Sequence, residues 1–100
     1  MKKGYWVVRA HISDPEEYTK YVSLAGDIVK KHNGTFLIRG GDQTEVEGEG
    51  LERTVLVEFP SYDAAYACYN SDEYQQALDF TKNSSTRSVS YTHLTLPTKA

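Results

Sequence analysis

The succession of hydrophobic periods constrains this chain most. From Gly4 to Ile12 it alternates, with Trp6, Val8, Ala10 and Ile12 on one side and Tyr5, Val7, Arg9 and His11 on the other. A period of two marks a strand with one face turned to a core. The period then lengthens to that of a helix: Tyr18, Tyr21, Val22, Ala25, Ile28 and Val29 form one apolar stripe. Asp14 suits the N-cap of that helix, Pro15 its first position and Glu17 the capping-box position. Lys30, Lys31 and His32 complement the negative end of its dipole, and Asn33-Gly34 supplies a left-handed stop.

Two more segments of period two follow. The first, Thr35 to Gly40, sets Phe36 and Ile38 on one face and Thr35, Leu37 and Arg39 on the other; Gly40-Gly41-Asp42 breaks or bulges it. Thr44 to Glu49 alternates weakly and reads as an exposed extension of a hairpin arm. Arg53 to Phe59 is the clearest strand, with Val55, Val57 and Phe59 on one face and Thr54, Leu56 and Glu58 on the other. Pro60-Ser61 then caps a helix with Asp63 in its first turn, and Ser71-Asp72-Glu73 opens a fresh short helix through about Lys82. The order β-α-β-β-α is five sixths of the ferredoxin-like β-α-β-β-α-β pattern. An α+β domain is expected, with helices on one face of an antiparallel sheet and a last strand beside the first.

Composition narrows the function classes. A chain of 100 residues supports one domain. No stretch approaches the roughly 20 apolar residues of a membrane span. The net charge of −3, with both signs interspersed, argues against nucleic acid as a partner. The single cysteine, Cys68, excludes a disulfide framework or a multi-cysteine metal site, and a reducing, cytoplasmic setting is the expectation. No metal or cofactor is expected.

The sheet face away from the helices is mixed. By the alternation it carries Arg9, His11, Arg39 and Glu58 among Tyr5, Val7, Leu37 and Leu56. Buried charges need partners, and so many apolar groups do not belong in water. A second copy of the same sheet packed against it meets both demands, so a homodimer enclosing a barrel-like interior is expected.

Separate blocks of the sequence resemble one known family. They are Lys3-Gly4-Tyr5-Trp6-Val7-Val8-Arg9, Asp14-Pro15-Glu16 with Tyr18, Gly34-Thr35-Phe36-Leu37-Ile38-Arg39-Gly40-Gly41, Glu58-Phe59-Pro60-Ser61-Tyr62, and Ala67-Cys68-Tyr69-Asn70-Ser71 with Glu73-Tyr74-Gln75. Over about residues 3 to 82 the chain resembles the bacterial domain-of-unknown-function 1330 family of the dimeric α+β barrel superfamily. The resemblance implies a ferredoxin-like subunit and a sheet-to-sheet homodimer, without supplying an activity. It marks Arg39, Glu58, Tyr69, Asn70 and Tyr74 as family-typical positions. The wider superfamily includes cofactor-free monooxygenases, muconolactone isomerase-like enzymes and haem-binding proteins; sharing their fold is analogy.

Two functional readings stand side by side. In one, the dimer barrel is the active site of a small oxygenase-like or isomerase-like enzyme. Arg9 and Arg39 then bind a small organic acid, His11 or Glu58 moves a proton, and Tyr69, Asn70 and Tyr74 line a pocket for an aromatic ligand. In the other, the chain is a non-catalytic ligand-binding or dimerisation protein, with Arg39 paired to Glu58 across adjacent strands and His11 merely at the interface. Glu45, Glu47 and Glu49 read as a solvated hairpin arm rather than a cation site, and Cys68 as a packing group.

The tail departs from the family pattern. Val89 to Thr98 reads Val-Ser-Tyr-Thr-His-Leu-Thr-Leu-Pro-Thr. GTC-TCT-TAT-ACA-CAT-CTG-ACG-CTG-CCG-ACG, the bases of a transposase-type sequencing adapter, encode those residues in order. Residues 1–88 are expected to be the authentic domain and 89–100 a translated adapter standing where the last native strand belongs. Ser88 to Leu96 alternates weakly, so it is still able to read as a strand.

Overall fold

The computed structural model describes residues 2–94. Strand β1, Gly4–Ile12, lies inside a four-stranded sheet of order β2-β3-β1-β4, with every neighbouring pair antiparallel. The other strands are β2 (Thr35–Arg39), β3 (Arg53–Phe59) and β4 (Ser85–His93). The helices are α1 (Pro15–Lys31), α2 (Tyr62–Tyr69) and α3 (Asp72–Ala77), the last running into a 3₁₀ turn at Leu78–Phe80. The expected β-α-β-β-α-β order is present, with β4 beside β1.

Local chemistry sets the helix limits. The Asp14 carboxylate accepts from the Glu17 amide at 3.3 Å, and Pro15 occupies the first helical position of α1. Asn33 takes the left-handed φ of 63° that ends the helix. Ser61 and Ser71 cap α2 and α3 through bonds from the Ala64 and Tyr74 amides.

All three helices lie on one face of the sheet. Trp6, Val8 and Ala10 from β1 and Val57 and Phe59 from β3 are buried there against Tyr21, Val29, Cys68 and Tyr74. Trp6 is 2% exposed, and its indole N–H donates to the Ala65 carbonyl at 2.9 Å. This bond pins α2 to β1 while satisfying the one polar atom the indole brings inside. The last helical segment ends at Phe80, not Lys82.

Strand β2 departs from the alternation. Phe36 pairs with Val57, but Ile38 pairs with Leu56 and Arg39 with Val55. Leu37 is thus the extra residue of a β-bulge, and beyond it the faces exchange. Ile38 joins Leu56 and Val7 in one row on the open face, while Arg39 shares the helix side with Val55. The expected extended arm at Thr44 to Glu49 is irregular chain, and Glu45 turns back to accept from the Leu51 amide at 3.3 Å.

Strand β4 is continuous across Ser88 and Val89, so both the domain and the stretch read as adapter contribute to it. Val89 and Tyr91 pack on the core, and Ser88, Ser90 and Thr92 alternate outward. Residues 95–100 of the tail lie outside the described residues.

Candidate functional site

The four charged residues expected to share the open face do not form one site. Glu58 lies near the Gly4 end of β1, where it accepts from Lys3 at 3.1 Å and from the Tyr5 hydroxyl at 3.2 Å. His11 lies at the other end, and its Nδ1 donates to Glu52 at 2.6 Å. Six residues of strand separate His11 from Tyr5, the register partner of Glu58, about 20 Å at a rise of ~3.3 Å per residue. Glu58 therefore does not orient His11; Glu52 does. The His11 bond holds the Glu52 carboxyl below its ordinary range. Arg9 donates to the Leu51 carbonyl at 3.2 Å and lies 3.9 Å from Glu45, so it ties the 40–52 loop to the sheet.

Arg39 corrects both sequence readings. It is neither on the open face nor paired with Glu58, because the bulge at Leu37 carries it to the helix side. There its guanidinium stacks over Phe36 at 4.2 Å and runs alongside Gly26 of α1. A Cβ on Gly26 would lie 2.9 Å from Arg39 Nη2. A glycine inside a helix costs about 1 kcal/mol relative to alanine. The guanidinium passing against it gives this glycine a reason.

Two further arginines meet Arg39 in a cavity between α1 and the sheet. Arg53 and Arg87 both stand opposite Ala10, on the strands flanking β1. Their Cα atoms are thus about 10 Å apart, two strand spacings, with the smallest apolar side chain of β1 between them. The cavity is walled by Val8, Tyr18, Tyr21, Val22, Phe36 and Val55 among others. Its volume open to the centre of a water-sized sphere is about 30 Å³, room for about two waters. Arg39 also lines a groove on the outer surface with Gly26, Asp27, Lys30 and Phe36. Val22, Phe36 and Arg39 thus line both the cavity and the groove.

Electrostatics single this cavity out. Among the described residues, no carboxylate lies within 4.0 Å of Arg39, Arg53 or Arg87, whereas Arg9, Lys3, Lys20, Lys31 and Lys82 all have one. The buried Nε atoms of Arg53 and Arg87 have no hydrogen-bond partner among the described residues.

Arg87 leans on phenols instead of acids. It donates to the Tyr21 hydroxyl at 3.0 Å and to Tyr74 at 3.4 Å, and lies 4.8 Å from the centre of the Tyr21 ring. The two hydroxyls are 2.5 Å apart. Burial works against the Arg87 charge, but the facing Tyr21, Tyr74 and Tyr18 hydroxyls hold its pKa above the ordinary arginine value. Burial, reinforced by Tyr74 and opposed by Arg87, pushes the Tyr21 hydroxyl far above the ordinary phenol range. Tyr21 therefore stays protonated at neutral pH, on the cavity wall.

The remaining sequence candidates sit elsewhere. Tyr74 is fully buried behind Tyr21, so it supports the wall without forming it. Tyr69 packs edge-on to Trp6 at 5.9 Å and lines, with Arg87 and Val89, a separate surface pocket rather than this cavity. Asn70 caps α2, its side-chain amide donating to the Tyr66 carbonyl at 3.0 Å. Arg53 and Arg87 escaped the sequence reading although the signal was present: each is in phase with the apolar residues of its strand.

The layers, strand order and helix placement define an α+β protein of ferredoxin-like fold. Residues 3–92 match the family model described as Domain of unknown function (DUF1330), and the chain belongs to that family. No curated protein matches it significantly in sequence. Among solved structures, a protein of unknown function from Rhodopseudomonas palustris is similar at 13% identity, over 96% of this chain and 85% of that one, with a TM-score of 0.75. A dimeric ferredoxin-like protein of unknown function from Thermobifida fusca is similar at 11% identity over 93% and 92%, TM-score 0.57. SnoaB, a cofactor-independent oxygenase from Streptomyces nogalater, is similar at 11% identity over 99% and 97%, TM-score 0.61. At these identities the likeness concerns the fold. Among the described residues, no helix is long and apolar enough to cross a membrane.

Proposed function

We propose that this protein binds a small organic anion in the cavity between α1 and the sheet. The observation that carries the reading is the convergence of Arg39, Arg53 and Arg87 on an apolar-walled cavity with no carboxylate within 4.0 Å of any of them among the described residues. Guanidinium groups offer forked donors to carboxylates, and the aromatic and aliphatic walls suit an organic body. The test is a thermal-shift screen of small aliphatic and aromatic carboxylates. A rise in melting temperature that disappears in the Arg39→Gln/Arg53→Gln variant is expected. No rise with any carboxylate defeats the reading.

An oxygenase-like or isomerase-like reaction at the same cavity is the second reading. Its support is the Tyr21 hydroxyl on the wall, a proton-bearing group bonded to Tyr74 and Arg87, together with the fold shared with an oxygenase described as cofactor-independent. A turnover assay in which Tyr21→Phe binds the anion but loses activity separates it from binding alone.

A homodimer through the open sheet face goes with both readings. Val7, Leu56 and Ile38 form a lateral apolar row there, with Val7 37% and Ile38 44% exposed, and the Thermobifida fusca structure is described as dimeric. Light scattering on a sizing column should give twice the chain mass, and Val7→Lys with Ile38→Lys should give a monomer. A wild-type monomer removes the proposal. The buried free thiol of Cys68 suits a reducing, cytoplasmic setting.

A further inference from the structure

We propose that the cavity selects a compact dianion, such as a short dicarboxylate, over a monocarboxylate; this rests on the anion-binding reading above. The argument is the number of unpaired positive charges that face it. Arg53 and Arg87 approach from opposite sides of Ala10, two strands apart, and each keeps a buried Nε–H without a partner among the described residues. An anion of two charges brings acceptor oxygens enough for both donors and compensates both charges. Arg39 adds a third positive charge at the mouth. A monoanion therefore leaves one of the two inner guanidinium charges uncompensated as well as Arg39, and a dianion leaves only Arg39 at the exposed rim.

Access follows from the same geometry. The cavity holds about two waters, so a dicarboxylate enters by displacing the exposed Arg39 side chain, which lines both the cavity and the outer groove.

The experiment is calorimetric titration of the full chain with acetate, malonate and inorganic phosphate at matched ionic strength and neutral pH, repeated with Arg53→Gln and Arg87→Gln. Malonate or phosphate should bind at least about ten-fold more tightly than acetate. Each single variant should cut that preference to about three-fold or less, because one of the charges that a dianion compensates is gone. Malonate ahead of phosphate assigns the charges to carboxylates; phosphate ahead assigns them to a phosphoryl group. Both orders support a dianion site. Equal affinities for acetate and the dianions, lost in the variants, overturn the dianion inference and keep the anion site. Absence of binding by any of the three overturns both. Circular dichroism melts establish that the variants are folded, and Arg53→Gln carries the test where Arg87→Gln fails to fold.

Discussion

Arg87 donates a hydrogen bond to the Tyr21 hydroxyl across 3.0 Å, joining β4 to α1 through two side chains that share one cavity wall. No carboxylate within 4.0 Å completes the pair among the described residues. Removing the phenol oxygen leaves Arg87 and Tyr74 each short of a partner, a cost of about 1–3 kcal/mol. Tyr21→Phe should therefore lower the unfolding free energy by that amount. Arg87→Met removes a half-buried charge as well as its bonds, so its effect should be smaller, within about 1 kcal/mol of neutral. Urea titrations of both variants check the order. A larger loss in Arg87→Met than in Tyr21→Phe would mean that the arginine is there for the fold.

The same buried hydroxyls govern alkaline stability. Burial raises Tyr18, Tyr21 and Tyr74 above the ordinary phenol value of 10.0, and raises the Cys68 thiol from 9.0 to about 12. Below pH 9 these groups are protonated in both the folded and the unfolded chain, so their contribution is fully present. As pH rises further the unfolded chain ionises first, at Cys68 and then at the tyrosines, while the native state keeps its protons. Stability therefore falls with rising pH, by up to about 1.4 kcal/mol per pH unit for each group. Urea midpoints should hold between pH 7 and 9 and drop steeply above pH 10. The Tyr21→Phe/Tyr74→Phe variant should lose less stability over the same interval, and a wild-type midpoint that is flat to pH 11 would contradict the assignment.

Gly26 and Arg39 make a paired prediction. Gly26→Ala improves the helix interior by about 0.5–1 kcal/mol. Its new Cβ would lie 2.9 Å from Arg39 Nη2, the far end of an exposed, flexible side chain, so the guanidinium shifts at little cost. The variant should melt higher than the wild type and bind small carboxylates more weakly. Higher stability with unchanged binding would show that the Arg39 position against α1 does not matter to the ligand.

The sequence carried the skeleton of this fold because its signals are local. The alternation of Gly4–Ile12, the Asp14 cap and the Ser61 and Ser71 caps each lie within a few residues, and the element order follows from them. The site was less legible, for two reasons. A single inserted residue, Leu37, exchanges the faces of β2, and the Gly40-Gly41 pair that signalled irregularity lies after the bulge it accompanies. The partners of His11 and Glu58 depend on the register of β1 against β3, which strand periodicity does not determine. The clue was instead in the phase of the arginines. Arg53 precedes Val55, Val57 and Phe59 on the core face, and Arg87 precedes Val89 and Tyr91. A cation in the apolar phase of two strands, with no acid in the same phase, is the pattern to read.

The last strand brings the final prediction. We propose that the codons from Val89 onward come from a sequencing adapter and replace the native end of β4. The family match extends to residue 92 and the strand to His93, four and five residues into that stretch, so the fold accommodates it. The physical reason is that β4 pairs with β1 through its backbone. Its helix-side positions ask only for apolar groups, which Val89 and Tyr91 supply against the Trp6 layer. Resequencing the source DNA should show independent reads diverging after the Ser88 codon, into a strand that alternates apolar and polar residues in the same phase. Arg39, Arg53, Tyr21, Tyr74 and Arg87 all precede Val89, so restoring the native strand should leave carboxylate binding intact and raise the melting temperature. Independent reads that continue through the same codons would make Val89–His93 native and remove the proposal.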